Sequence, residues 1–300
     1  MCLNFKIKPF SFRLLQQLNT ANGSIKGKRG WLIRIKDHSG HIGWGEISPI
    51  NANELNACRK DLQSIGPNPS RQFLDDLIPK TNRSIAFGLG AALAEMDGLI
   101  GLRSKCKWLK APNSAILLPT NNPSKVISIL DTLLNNSKDN IYPLTIKLKV
   151  AIKSVKHEES LIDKILDRLP DSAKLRLDAN AGWNRPQAIY WANLLHQETR
   201  IEWLEQPLHC DDIEGLTSLN KKIPIAIDET LLAHPALTES WHSWQIRRPL
   251  LEGDPRVLLD ELNKKTCYRV ISTAFETGIG LRWINHLASL QQNSSTPTAP

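Results

Sequence analysis

The sequence reads LRLDAN at 175–180, WLEQP at 203–207 and IAIDE at 225–229. Each stretch is a short apolar run that ends in an acid, and the three acids are Asp178, Glu205 and Asp228. They follow one another at intervals of roughly 25 residues, which is about what a strand, a loop, a helix and a second loop require. The spacing therefore predicts successive strands of a parallel β/α barrel, whose C-terminal ends form one rim.

The same alternation extends to both sides of these stretches. Further apolar runs that end in polar residues lie at 114–118, 145–150, 244–249 and 268–273. Segments with apolar residues at helical spacing separate the runs, and we expect helices at 123–134, 154–168, 185–196, 211–220, 255–264 and 281–290. Seven candidate strands result, with little chain left for an eighth. The predicted fold class is α/β, a modified TIM barrel of the (β/α)7β-like kind that spans residues 111–290.

The first 110 residues follow a different pattern. Alternating stretches at 5–12, 31–36 and 41–47 predict antiparallel strands, and 52–65 and 83–102 predict helices. Strands followed by helices indicate an α+β capping domain over residues 1–110, completed by part of the C-terminal region. The polar segment 19–29 is interpreted as a loop and candidate lid, and the tail at 291–300 is expected to be disordered.

Composition narrows the class of protein. The 300 residues include 41% hydrophobic residues and five scattered cysteines without a C-x-x-C motif, which favours reduced thiols and a cytoplasmic location. No apolar run is long enough to span a bilayer, so no membrane partner is expected. The net charge is +8, but no basic block alternates with aromatic residues, so we expect attraction of a small anionic substrate and no nucleic acid.

The three acids predict a metal site. Carboxylates that converge raise one another's pKa unless a cation compensates, and oxygen ligands favour Mg²⁺, with Mn²⁺ as an alternative. Lys147 and Lys149 are two residues apart on a predicted strand and therefore share a face. Mg²⁺ between carboxylates, next to lysines, suits removal of a proton adjacent to a substrate carboxylate. We assign Lys149 as the base and Lys147 as the cation that tunes and orients it.

This order of motifs, K-x-K, LDAN, LEQP and DE, resembles the enolase superfamily, and the resemblance covers about residues 5–290. GWGEISP at 43–49 and AFGLGAALAE at 86–95 resemble its capping domain. The resemblance implies Mg²⁺ bound by Asp178, Glu205 and Asp228. Asn180 and Glu229 are then expected as neighbours that orient these ligands. For Arg176 two interpretations stay open, namely pairing with a ligand carboxylate or an ordinary buried ion pair.

Within the superfamily the chain is most similar to the o-succinylbenzoate synthase family, through RGWL at 29–32, RLDAN at 176–180 and ISTAFETGIG at 271–280. That resemblance implies a Mg²⁺-dependent dehydration in menaquinone or phylloquinone biosynthesis. Arg248-Pro249 stands where the superfamily pattern has a second lysine before proline. Arginine cannot act as a base near neutral pH, so Arg248 argues against a racemase or epimerase and suits a dehydration with one lysine.

The implied substrate is a small dianionic carboxylate. We expect its succinyl end near the seventh-strand loop and the lid, at Ser272, Thr273, Gly278, Thr20 and Ser24. Alternatives are an N-acyl amino acid or dipeptide epimerase, a degenerate site, and a non-catalytic binding protein on a barrel fold. The sequence leaves the choice between a monomer and a homo-oligomer open.

Overall fold

The structure is a computed structural model that describes residues 2–20, 23–101, 104, 107–120, 122–136 and 144–291. The chain divides into two compact units. The first contains Met1–Pro112, Arg248–Thr266 and Ile271–Gln292, and the second contains Asn113–Arg247, Cys267–Val270 and Asn293–Pro300. The domain boundaries expected at residues 110 and 290 stay predictions. Of the disordered tail expected at 291–300, only residue 291 is among the described residues.

An antiparallel sheet begins the first unit. Its strands are β1 (Asn4–Thr20), β2 (Gly23–Lys36) and β3 (Ile42–Ile47), in the order β1-β2-β3. The loop predicted at 19–29 is wrong, because β1 and β2 stay paired as far as Thr20 and Gly23. Main-chain pairing continues there although most of the residues are polar, since the hydrogen bonds between strands join main-chain groups.

Helices pack against this sheet. They are α1 (Ala52–Ile65), α2 (Arg71–Leu77) with a 3₁₀ turn at Ile78–Lys80, and α3 (Arg83–Met96). At Gly45 of β3, an added Cβ would lie 2.0 Å from the carbonyl oxygen of Gly88 in α3, so only glycine permits this approach. The helix predicted to reach residue 102 ends at Met96, because Gly98 adopts a φ of 73° that stops it.

The last helices of the chain complete the first unit. They are α10 (Pro249–Glu252), α11 (Pro255–Asn263) and α12 (Gly278–Leu290). The buried carboxylate of Glu46 on β3 accepts hydrogen bonds from the N–H groups of Thr277 and Gly280, each at 2.9 Å. An anion is favourable at this helix N-terminus, where N–H groups lack helical partners. The contact joins the N-terminal sheet to the C-terminal helix.

Glu276 lies beside Glu46, and its carboxyl group leads us to expect that the stability of the folded protein depends on pH. Burial raises the pKa of Glu276 to about 7 from an ordinary 4.5, despite the nearby ammonium of Lys28. The folded protein then holds a proton that the unfolded chain releases, so stability is greatest below the ordinary pKa and falls as the pH rises through about 7. Glu276→Gln removes this loss. We expect the variant to gain roughly 2–3 kcal/mol in free energy of unfolding near pH 8, and little near pH 5.

Urea denaturation at the two pH values measures this difference. Glu239→Gln is the control, because Glu239 is exposed and surface substitutions change stability by about 0.5 kcal/mol or less. A Glu276→Gln variant whose gain is the same at both pH values would contradict the assigned proton.

The second unit is built on a parallel sheet. Seven strands have the order β10-β9-β8-β7-β6-β5-β4. The strands are β4 (Ile116–Leu118), β5 (Thr145–Lys149), β6 (Lys174–Asp178), β7 (Ile201–Glu205), β8 (Ile225–Ile227), β9 (Trp244–Arg247) and β10 (Arg269–Ile271). The intervening helices are α4 (Pro123–Asn136), α5 (Val155–Leu166), α6 (Arg185–Leu195), α7 (Ile213–Asn220), α8 (Glu229–Ala233) and α9 (Leu237–Ser240). The predicted α/β class with seven barrel strands and a separate N-terminal α+β region is confirmed.

The core of the second unit lies between the sheet and these helices, with Leu148, Leu177 and Leu204 among its buried residues. This packing fixes the face that each strand residue occupies, because a shift by one residue would turn every leucine away from the helices. In the described residues, no helix has the length and apolar character needed to cross a bilayer.

Candidate active site

Three neighbouring strand ends bring the acids and lysines of the sequence motifs together. Lys149, the last residue of β5, lies opposite Asp178, the last residue of β6, and Asp178 lies opposite Glu205 at the end of β7. Parallel pairing therefore places the three side chains side by side along one edge of the sheet. Asp228 directly follows β8, the next strand. The strand ends that carry these residues are thus neighbours in the sheet.

Lys147 is the buried cation of this edge. Its Nζ lies 2.9 Å from Asp178 Oδ2 and 2.7 Å from Glu205 Oε1, and all three side chains are at most 5% exposed. Burial lowers the pKa of Lys147, but the charges of Glu205 and Asp178 outweigh that effect and raise it. Lys147 therefore stays protonated and cannot serve as a base, which fits the orienting role expected of it.

The two carboxylates respond differently to this shared ammonium. Burial raises the pKa of Asp178, but Lys147 and Lys149 outweigh it and lower the pKa below its ordinary value. For Glu205, burial and the charge of Asp178 raise the pKa, although Lys147 opposes them. The two lysines thus compensate the negative charge of ionised Asp178, whereas a further positive charge would stabilise ionised Glu205.

Lys149 has the accessibility that a base needs. Its side chain is 34% exposed, and its Nζ lies 3.4 Å from Asp178 Oδ2. Nζ also donates a hydrogen bond to Asn180 Oδ1, and Asn180 Nδ2 donates to Glu229 Oε1 at 3.3 Å. Asn180 therefore connects the lysine to the acid after Asp228, a contact consistent with the orienting role expected of both residues.

Gln206 fixes the segment that contains Asp228. Its buried side-chain oxygen accepts hydrogen bonds from the N–H groups of Asp228 and Thr230, at 3.0 and 3.1 Å. Its amide nitrogen donates to Leu208 O and Thr230 Oγ1. The sequence interpretation missed this residue, although a polar side chain directly after a proposed ligand is a signal that could have found it.

Glu158 was missed as well, and it holds the loop after Lys149. Its carboxylate accepts hydrogen bonds from the N–H groups of Ala151, Ile152 and Lys153 at 2.8–3.1 Å. Glu158 is buried, three residues before Leu161 on the inner face of α5. An acid at an apolar position of a helix is the signal that could have identified it.

Arg176 is fully buried below this edge. Its Nε donates to Glu202 Oε2 at 2.7 Å, and its guanidinium lies 4.0 Å from the ring centroid of Trp203. These contacts support the interpretation of Arg176 as a buried ion pair. Trp203 in turn donates through Nε1 to Glu205 Oε2 at 3.4 Å, so the layer under the acids is both packed and hydrogen-bonded.

The donor set suits a hard divalent cation. Three carboxylates face two lysines, so the group has a net negative charge when all are ionised, and its ligand atoms are oxygens. Among the described residues, a group of three His, Cys, Asp or Glu side chains has its ligand atoms within 4.8 Å of one another, but this group does not contain the three acids. A shared ion therefore requires the side chains of Asp178, Glu205 and Asp228 to draw closer together than they are here.

The remaining predicted site residues lie in the first unit. Arg248 donates through Nη1 to Thr273 O at 2.8 Å, and its N–H donates to Glu252 Oε1 at 2.6 Å. Ser272 is buried, and Gly278 is the first residue of α12. Thr20 and Ser24 lie in β1 and β2, but their side chains are outside the described ones.

Comparison with known proteins agrees with the motifs. A family model described as enolase C-terminal domain-like matches residues 143–240, which contain all three acids and both lysines. The o-succinylbenzoate synthase of Thermosynechococcus vestitus is 28% identical over 292 residues, covering 93% of this chain and 86% of the relative. Residues 143–240 thus match the enolase C-terminal domain-like family, and most of the chain is similar to curated o-succinylbenzoate synthases. The curated relatives, which cover most of the chain, support its assignment as an enzyme, a lyase.

Two solved structures have the same fold as this chain. The o-succinylbenzoate synthase of Thermosynechococcus elongatus, complexed with Mg in its active site, superposes with a TM-score of 0.79 at 24% identity, covering 99% of this chain and 95% of that one. A dipeptide epimerase from Enterococcus faecalis gives a TM-score of 0.75 at 20% identity, covering 100% and 90% of the two chains. Both superpositions establish the fold, and neither distinguishes between the two activities.

Proposed function

We propose that the chain is an o-succinylbenzoate synthase, which dehydrates 2-succinyl-6-hydroxy-2,4-cyclohexadiene-1-carboxylate to 2-succinylbenzoate. The observation that supports this most directly is the difference between the two lysines. Lys147 is buried between two carboxylates, whereas Lys149 is one-third exposed at the same strand edge. One lysine can therefore serve as a fixed cation while the other exchanges a proton with a substrate.

Asp178, Glu205 and Asp228 are the proposed ligands of Mg²⁺, with Mn²⁺ as a possible substitute. When bound, the metal supplies positive charge to the substrate carboxylate and so makes the adjacent proton more acidic. Asn180 and Glu229 would hold the surroundings of these ligands in place. The raised pKa of Glu205 is consistent with this assignment, since a cation would favour its ionised form.

In the proposed reaction Lys149 does both proton transfers. Its neutral Nζ takes the proton from the carbon next to the carboxylate, and the resulting ammonium returns a proton to the departing hydroxyl group. The hydroxyl leaves as water on the same face, so the net reaction is a syn dehydration with no second base. Lys147 stays an ammonium throughout, and Arg248 is proposed to contribute only positive charge. Ser272, Thr273, Gly278, Thr20 and Ser24 are proposed to contact the succinyl end.

A second candidate is an N-acyl amino acid or dipeptide epimerase, because an epimerase shares the fold. Epimerisation needs a base on each face of the substrate, and Arg248 stands at the position of the second lysine. NMR in deuterated water separates the candidates, because an epimerase exchanges the α-proton from both faces of a dipeptide. A non-catalytic barrel protein would show neither this exchange nor a dehydration.

An ultraviolet assay tests the proposed activity. We expect the purified protein to convert the hydroxycyclohexadiene substrate to the aromatic product with Mg²⁺, and turnover to stop when a chelator removes the metal. Supplying Mn²⁺ to the chelated enzyme should restore part of the rate. Product formation at the same rate with and without divalent cations would overturn the metal assignment, and no product under either condition would overturn the function.

A further inference from the structure

The loop between β7 and α7 contains a second cluster of ligand atoms, outside the carboxylate site. His209, Cys210 and Asp211 each direct one ligand atom into a group whose members lie within 4.8 Å of one another. His209 Nδ1 is 3.9 Å from Cys210 Sγ and 3.5 Å from Asp211 Oδ2. The cluster therefore combines a nitrogen, a sulfur and an oxygen, unlike the all-oxygen set of the carboxylate site.

We propose that His209, Cys210 and Asp211 form a binding site for a thiophilic divalent cation, with Zn²⁺ as the best match. Zinc binds cysteine sulfur at about 2.3 Å and histidine nitrogen at about 2.0–2.1 Å in a tetrahedron. Two ligand atoms on such a tetrahedron are roughly 3.3–3.8 Å apart. The distances from His209 Nδ1 to Cys210 Sγ and Asp211 Oδ2 are close to that range.

His234, the residue that ends α8, supports the cluster from outside. Its Nε2 lies 2.8 Å from Asp211 Oδ1 and so holds the carboxylate from one side, while Oδ2 faces His209. Carboxylates that bind metal ions are commonly held by a hydrogen bond from a neighbouring group. His234 is therefore a positioning residue that leaves the second carboxylate oxygen for the cation.

The hydrogen bonds at His209 show what a cation would replace. The N–H of Asp211 donates to His209 Nδ1 at a long 3.4 Å, which makes Nδ1 the unprotonated nitrogen when the ring is neutral. Two acceptors, Nδ1 and Asp211 Oδ2, then lie 3.5 Å apart. A metal ion bound between these two acceptors would relieve that repulsion.

A redox role for Cys210 fits the structure less well. Burial raises the pKa of the Cys210 thiol, and the nearby charges of Asp211 and Glu229 add to that effect. A thiol with a raised pKa reacts slowly, because the thiolate is the nucleophile. A bound zinc ion would instead deprotonate the thiol and compensate the surrounding acids. The exposure of His209 and Asp211 leaves the fourth position of the tetrahedron to water.

Cobalt spectroscopy tests the site without relying on turnover. The metal-free, reduced full-length protein is saturated with Mg²⁺ and titrated with Co²⁺, which reports thiolate ligation through a near-ultraviolet charge-transfer band. We expect one equivalent of Co²⁺ to produce the band and one equivalent of Zn²⁺ to abolish it, with no displacement by excess Mg²⁺. Cys210→Ser should remove the band, and His234→Ala should weaken binding by about 10–100-fold.

Cys267→Ser and His196→Ala are the matched controls, because Cys267 and His196 are exposed and lie outside the cluster. Both variants should bind Co²⁺ like the unaltered protein. A protein without the band, or a band that survives in Cys210→Ser, would overturn the proposal. Because Mg²⁺ is present throughout and no substrate is needed, failure here leaves the proposed dehydration untouched.

Discussion

Lys149→Ala is expected to lose almost all dehydration activity while keeping the fold. General base catalysis contributes roughly 10²–10⁴-fold in rate, and the proposed reaction uses Lys149 for both proton transfers, so kcat should fall by at least that range. Stability should change little, because the Lys149 side chain is 34% exposed and Asp178 keeps its shorter contact with Lys147. Steady-state kinetics with the aromatic product as the signal measures the loss, and thermal denaturation measures the fold.

Lys153→Ala is the matched control for charge. Lys153 is an exposed lysine in the loop that follows β5, so its loss changes the net charge equally without touching the site. Small primary amines added to Lys149→Ala should recover part of the rate, as expected when the missing group is a proton acceptor. Turnover in Lys149→Ala within a factor of ten of the parent would assign the base elsewhere.

The order of strands in the barrel could be predicted from the sequence because two signals identify each strand. An apolar run buries against helices, and a polar residue follows where the strand leaves the core, as at Asp178 and Glu205. Short helices escaped prediction. α8, α9 and α10 have only four or five residues each, which is less than the two turns that a helical periodicity needs to become visible.

The hairpin of β1 and β2 shows a different limit. Its outer part was interpreted as a loop because Asn, Gly, Ser and Lys are typical of turns, yet the strands remain paired to Thr20 and Gly23. Main-chain hydrogen bonds between strands do not depend on apolar side chains. A polar composition was therefore a poor guide to secondary structure in this hairpin.

The site was predictable as a set of residue types and faces, but not as a set of contacts. Alternation along a strand placed Lys147 and Lys149 on one face, and both reach Asp178 Oδ2 in the structure. Which lysine is buried depends on how far each lies from the end of the strand in the folded sheet. The sequence pattern does not give that distance. The sequence also did not predict the supporting roles of Gln206 and Glu158. Each side chain accepts hydrogen bonds from main-chain N–H groups, which almost any residue provides.

Lys147→Met should produce the largest loss of stability. Lys147 Nζ lies within 2.9 Å of both Asp178 and Glu205, and these carboxylates are at most 2% exposed. Removing one partner of a buried ion pair costs about 3–5 kcal/mol, because the remaining charge is left uncompensated. Here two carboxylates lose the same ammonium, so we expect a decrease in the free energy of unfolding in or above that range. Urea denaturation in a chelating buffer measures it.

Mg²⁺ and a second substitution connect this result to the proposed metal site. If Asp178, Glu205 and Asp228 bind Mg²⁺, the ion supplies the charge that Lys147→Met removes, so Mg²⁺ should stabilise the variant more than the unaltered protein. Adding Glu205→Gln removes one of the opposed acids and should recover part of the loss even without metal, whereas independent sites would show additive effects. Lys156→Met, at an exposed position of α5, is the matched control and should change stability by about 0.5 kcal/mol or less. Equal stabilisation of both proteins by Mg²⁺ would place the ion away from these three acids.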